Sequence, residues 1–201
     1  PDPITKEYFG DFNTIKSNLN LLVNTLNRFQ MDMTKMTSEQ KAGDIEYYID
    51  PTQFKGIYKA IGEGVVENVK IHVSNILEIL TTVGEYGDGN FSVELRKLPG
   101  KQIIANQKLE LVRSNLRLLT EEIEILSQAA VEGKLSTRGN SKKFKGAYSQ
   151  LVEGVNQTLD SVIGPLNVAA DYVDKISRGA IPPKITDTYN GDFNTIKNNL
   201  N

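Results

Sequence analysis

The 201-residue chain contains no cysteine and no tryptophan. Disulfide scaffolds and thiolate-bound metal sites are therefore excluded, and Phe and Tyr are the only aromatics available to a core. An excess of either charge is also missing: 23 Lys and Arg stand against 25 Asp and Glu, so there is no basic footprint for nucleic acid. No apolar run reaches the roughly 18 to 20 residues that span a bilayer. The stretch from Leu19 to Phe29 is broken by Asn20, Asn24, Asn27 and Arg28. Pro1-Asp2-Pro3 lacks an initiator Met, a basic leader and an apolar signal core, and is expected to open a piece cut from a longer protein. With 24% charged and 39% apolar residues the chain is too balanced for disorder, and with only 16 Gly and 7 Pro it reads as ordered and largely helical.

What the sequence does contain is repetition. Ile4 to Asn20 and Ile185 to Asn201 align without gaps and match at 13 of 17 positions, sharing Gly-Asp-Phe-Asn-Thr-Ile-Lys. Phe54-Lys55-Gly56-Ile57-Tyr58 returns 90 residues later as Phe144-Lys145-Gly146-Ala147-Tyr148. Gly10, Gly56, Gly100, Gly146 and Gly191 form one series with steps of 46, 44, 46 and 45. Gly43, Gly89, Gly133 and Gly179 form a second, each followed two positions on by an apolar residue: Ile45, Phe91, Leu135 and Ile181. Between a second-series glycine and the next first-series one lie 10 to 12 residues that hold Pro51, Pro99, Pro182 and Pro183. These are connectors, and the segments between them are helices.

Apolar spacing supports that division. Phe12, Ile15, Leu19, Leu22, Leu26, Phe29, Met33 and Met36 follow alternating steps of three and four, a strict heptad seam. Ala105, Leu109, Val112, Leu116, Leu119, Ile123 and Leu126 repeat it in register. The intervening helices carry Tyr58, Ile61, Val65, Val69, His72, Ile76, Ile79, Val83 and Tyr86, and Tyr148, Leu151, Val155, Leu159, Val162, Leu166, Ala169, Val173 and Ile176. Their two successive steps of four are a stutter, which re-aims the seam partway along the helix.

The connectors are longer than the roughly 2 to 8 residues of a tight helical hairpin. A 12-residue extended segment reaches roughly 40 Å, enough to run back along a half-helix of about 24 Å and start the next helix parallel to the last. Apolar pegs then dock on the helices: Ile45 with Ile49, Phe91 with Leu95, and Ile181 with Ile185, while Leu135 is followed by Gly139, which predicts a looser third connector. Two parallel helices at each level leave one side of every seam facing water, so the predicted fold is all-α, two chains pairing into parallel four-helix coiled coils stacked end to end.

An apolar seam, then Gly-x-apolar, a Pro-bearing connector and a Gly-led second helix with an apolar-Asn pair resembles the HAMP domain. The match is fullest over Val162 to Asn201: Pro165-Leu166, Gly179-Ala180-Ile181, Ile185, Gly191-Asp192-Phe193 and Leu200-Asn201. Leu19-Asn20 and Val155-Asn156 keep the apolar-Asn pair, whereas Leu109-Glu110 and Val65-Val66 depart from it, and Asn75 stands where the last unit has Pro165. The resemblance divides the chain into a partial unit at 1–20 and units at 21–71, 72–116, 117–161 and 162–201. It implies a tandem array most like those of bacterial methyl-accepting chemotaxis transducers, relaying conformational change from a sensor to a kinase-controlling domain. The implied setting is a cytoplasmic segment of an inner-membrane protein that meets kinase and adaptor through its other domains. A histidine-kinase array, an intracellular ligand-binding helical module and a passive spacer are the alternatives; uniform units would mark a spacer, and a polar cluster at one level a binder.

No nucleophile and base, carboxylate pair or cofactor motif points to an enzyme, and no cofactor or metal is expected. His72 is alone and is read as a helix-face residue beside a core Val73. Gly62-Glu63-Gly64 lacks the third glycine and the strand of a phosphate loop. The acid-free run Lys134, Arg138, Lys142, Lys143 and Lys145 is expected to be a solvated connector, and Glu121-Glu122 ordinary surface charge.

Overall fold

The computed structural model describes residues 2–201. Four long helices, α1 (Asp11–Ala42), α2 (Gly56–Gly87), α3 (Ile103–Val131) and α4 (Ala147–Ser177), are followed by the short α5 (Gly191–Leu200), and no strand occurs among the described residues. Each long helix lies between two glycines 33 positions apart: Gly10 and Gly43, Gly56 and Gly89, Gly100 and Gly133, Gly146 and Gly179. Among the described residues, positive φ occurs only at these eight glycines and at Gly191. The helix ends show why. After α1, α3 and α4 the chain closes with the N–H of Asp44, Lys134 and Ala180 bonded back to the carbonyls of Glu39, Ala129 and Lys175 at 2.8–3.0 Å. That six-to-one closure needs a left-handed residue, which glycine supplies without a Cβ penalty.

α4 runs unbroken from the Gly146 end through Pro165 to Ser177.

The chain divides into two compact units, residues 1–88 and 89–201. In the first, connector 1 (residues 43–55) joins α1 to α2. Its Ile49 and Phe54 are buried, and the Phe54 ring meets Phe29 of α1 edge-on with centroids 5.3 Å apart. A short 3-10 turn over Pro51–Gln53 is capped by Asp50, whose carboxylate accepts from the Thr52 N–H at 3.0 Å and its hydroxyl at 2.7 Å. In the second, connector 2 (residues 88–102) leads into α3, connector 3 (residues 132–146) joins α3 to α4, and connector 4 (residues 178–190) joins α4 to α5. Leu95, Leu98, Phe144 and Ile185 are their buried residues. Phe54, Leu98 and Phe144 each stand two positions before a first-series glycine, an anchoring position that the apolar-peg pattern did not single out.

Candidate functional site

The residues singled out by the sequence lie in the connectors and along the seam. In each connector the second peg is held down more firmly than the first. Ile49, Leu95 and Ile185 are buried, whereas Ile45 and Leu135 lie near 40% exposure, Ile181 is almost fully exposed and Phe91 is half-buried. At several of these places a two-sided amide clamp holds the backbone. The Ile185 N–H donates to Asn201 Oδ1 at 2.7 Å, and Asn201 Nδ2 donates to the Ile185 carbonyl at 3.2 Å. Asn20 does the same to Ile4 at 2.7 and 3.0 Å, and Asn156 to Gly139 at 2.8 Å both ways. A primary amide carries one acceptor and one donor group, so a single side chain satisfies both the N–H and the C=O of one connector residue.

α3 has Glu110 where Asn20, Asn156 and Asn201 stand in the other clamped repeats, and solves the problem one turn earlier. Asn106 accepts from the Leu98 N–H at 3.0 Å and donates to the carbonyls of Leu95 and Arg96 at 3.0 and 2.8 Å. Arg113, on the same helix, reaches the Phe91 carbonyl and the carboxylates of Glu94 and Glu110.

Connector 3 is not the loose one that its missing apolar peg predicted. Val152 of α4 is fully buried, and a Cβ built on Gly139 would come within 2.7 Å of its Cγ1. The helix supplies the bulk that the connector lacks. Ninety residues earlier the sizes are exchanged: Ile49 is the large partner, and Gly62 of α2 is the small one, with Pro51 Cβ and Ile49 Cδ1 3.3 and 3.5 Å from where its Cβ would be.

Glu122 also departs from expectation. It is a buried residue of α3, and connector 3 passes over it: its carboxylate accepts from the Asn140 N–H and from Lys143 Nζ, both at 2.7 Å. The Lys143 bond draws its pKa below the ordinary 4.5, outweighing the burial that pushes it up, and the Asn140 N–H adds to the lowering. The basic run is correspondingly less free than its composition suggested. Lys143 is paired with Glu122, Arg138 with Asp160 of α4 at 2.7 Å, and Lys134 with Glu132 at 2.6 Å. Val73 is buried and His72 exposed.

The heptad seam takes a different position. Leu19, Leu22, Leu26, Ile61, Val112, Leu151, Leu166 and Val173 are each between 42% and 58% exposed in the single chain. Val65, Leu109, Leu116, Val155 and Leu159 are half-buried. The interior of one chain thus consists of connector residues and the helix faces beneath them, and the seam, apart from the buried Met36, Tyr86 and Leu126, forms half-exposed apolar stripes. No group of three or more His, Cys, Asp or Glu is placed to share a metal among the described residues.

Long helices joined by extended connectors, most of them clamped by an Asn, define an all-α helical module. Comparison with known proteins shows where a family likeness lies. Residues 143–201 match the HAMP domain, and residues 77–117 match HAMP N-terminal domain 3. The chain is 27% identical over 123 residues to methyl-accepting chemotaxis protein McpB of Pseudomonas aeruginosa, an alignment covering 61% of this chain and 17% of that protein. Two stretches of the chain, residues 77–117 and 143–201, are thus similar to HAMP domains, and the stretch aligned with the chemotaxis protein is a small part of that protein's length.

Proposed function

We propose that this array is the relay segment of a bacterial transmembrane chemotaxis receptor, passing conformational change from a sensor to a kinase-controlling domain, and that it works as a parallel homodimer. The observation that carries the reading is the seam. An apolar stripe recurring at heptad spacing on successive helices, left about half exposed by its own chain, is the surface that two copies side by side would close into four-helix bundles. The repeats are units at 21–71, 72–116, 117–161 and 162–201, preceded by the partial unit at 1–20. Strict-seam helices α1 and α3 alternate with stuttered α2 and α4. That alternation supports a switch rather than a uniform spacer, because the stutter keeps two helix phases close in energy.

The absence of native cysteine makes the test direct. Leu22→Cys or Leu159→Cys, introduced singly and oxidised, should give a disulfide-linked dimer through the same residue of both copies. Lys108→Cys, away from the seam, should not. Equal yields at both kinds of position, or a monomer by sedimentation at micromolar concentration, would sink the proposal.

A further inference from the structure

Connector 1 is attached differently from the others. The segment before α1, connector 2, connector 3 and connector 4 are each clamped by an Asn of the helix that follows: Asn20, Asn106, Asn156 and Asn201. At the corresponding positions of α2 stand Val66, ten residues after Gly56 as Asn156 is after Gly146, and Gly62, six after it as Asn106 is after Gly100. Neither can clamp. Among the described residues no α2 side chain hydrogen-bonds connector 1. What α2 offers is the bare Gly62 surface under Ile49 and Pro51, and Lys70 set 5.1 Å from the Tyr48 ring centroid.

The side-chain hydrogen bonds that hold connector 1 come instead from α1, while each of the two helices sets one lysine over a connector tyrosine. Gln40 Nε2 donates to the Tyr47 carbonyl at 3.0 Å, Arg28 donates to Gln53 Oε1, Lys35 sits 5.4 Å from the Tyr47 ring centroid, and Phe29 packs on Phe54. A second difference coincides with the first. Glu122, which pins connector 3 from the preceding helix, has as its counterpart in α1 the shorter Asp32, whose buried Oδ2 has no hydrogen-bond partner.

We propose that within the 21–71 unit connector 1 moves as one body with α1, and that the slip surface of the unit is the apolar contact of Ile49 and Pro51 on Gly62 of α2. This rests on the relay reading and assigns it a place. Hydrogen bonds are directional and break when two elements shift, whereas a methylene surface over a glycine can slide with little loss until side chains collide. Where an Asn clamps the connector to the second helix, those two must travel together. In the 21–71 unit the second helix can rotate or slide beneath a connector that stays with the first. Val66 and Gly62 are thus positioning residues by virtue of what they omit.

Hydrogen exchange on the whole array tests this. The clamp bond accepted by the Asn Oδ1 protects the N–H that donates it, so Ile49 should exchange about tenfold or more faster than Gly139 and Ile185. Val66→Asn should slow Ile49 toward the rate of Gly139, and Asn156→Val should speed Gly139 toward that of Ile49. Arg28→Ala should raise exchange across connector 1 alone. Protection of Ile49 equal to that of Gly139 in the unaltered chain would overturn the inference, as would Asn156→Val leaving Gly139 unchanged. Both comparisons hold even if Val66→Asn does not fold. Seam cross-linking separates the two claims: cross-links with a protected Ile49 sink only the slip surface, and absent cross-links sink the relay reading itself.

Discussion

Glu122 carries a consequence for pH. Its pKa is lowered in the folded chain, so folding releases its proton and the stabilisation is fully present at neutral pH. It is lost as pH falls below about 4.5 and through the lowered folded value. Urea midpoints measured from pH 7 down to pH 3 should fall more steeply for the natural chain than for Glu122→Gln. At pH 7 that substitution should cost about 1–3 kcal/mol, since Lys143 loses its charged acceptor. Parallel curves would show that the pair contributes nothing. The burial of Glu122 could not be read from its neighbourhood. Glu121 and Glu124 flank it on a helix of ordinary amphipathic pattern, and what covers it is a backbone N–H 18 residues further on. The heptad seams and period glycines were legible because their physics is local: three-and-four spacing sets a helix face, and a left-handed helix end requires glycine.

Elements are matched in pairs, and the pairs are exchanged between repeats. Ile49 over Gly62 and Gly139 under Val152 place the larger residue on opposite sides of the same contact. Gly139→Ala should therefore destabilise the chain by about 1–3 kcal/mol through the clash with Val152. Val152→Ala in the same molecule should recover part of that loss, giving a favourable coupling in a double-mutant cycle followed by thermal unfolding. Strict additivity would mean that the two do not meet. The missing apolar peg at 139 read as looseness because a connector's sequence shows only its own bulk; the compensating Val152 lies 13 positions on and is recognisable only once the two are known to face each other. Asn20, Asn156 and Asn201 were visible as an apolar-Asn pattern, but Asn106 was not, and neither were the connector residues that these side chains hold.

At the scale of the whole molecule, the seam residues of the long helices are left half exposed by their own chain. If two chains close over them, unfolding and dissociation are linked, and the melting temperature must rise with protein concentration. Calorimetry or circular dichroism over a hundredfold concentration range should show that rise. Leu159→Ala should lower stability on the order of 2–4 kcal/mol and shift signalling output when placed in a full receptor. A melting temperature independent of concentration would count against pairing.

The fixed spacing of the glycines sets how such an array can evolve. All four long helices occupy the same 33-residue interval, while the intervals spanned by the connectors, from Gly43 to Gly56, Gly89 to Gly100, Gly133 to Gly146 and Gly179 to Gly191, are 13, 11, 13 and 12 residues. One residue added to a helix would turn everything beyond it by about 100° and lengthen it by about 1.5 Å, throwing the downstream gear out of mesh with its counterpart. Slack has accumulated only in the straps. Insertions and deletions should therefore be survivable there and ruinous in the shafts, and the array should grow or shrink by whole modules.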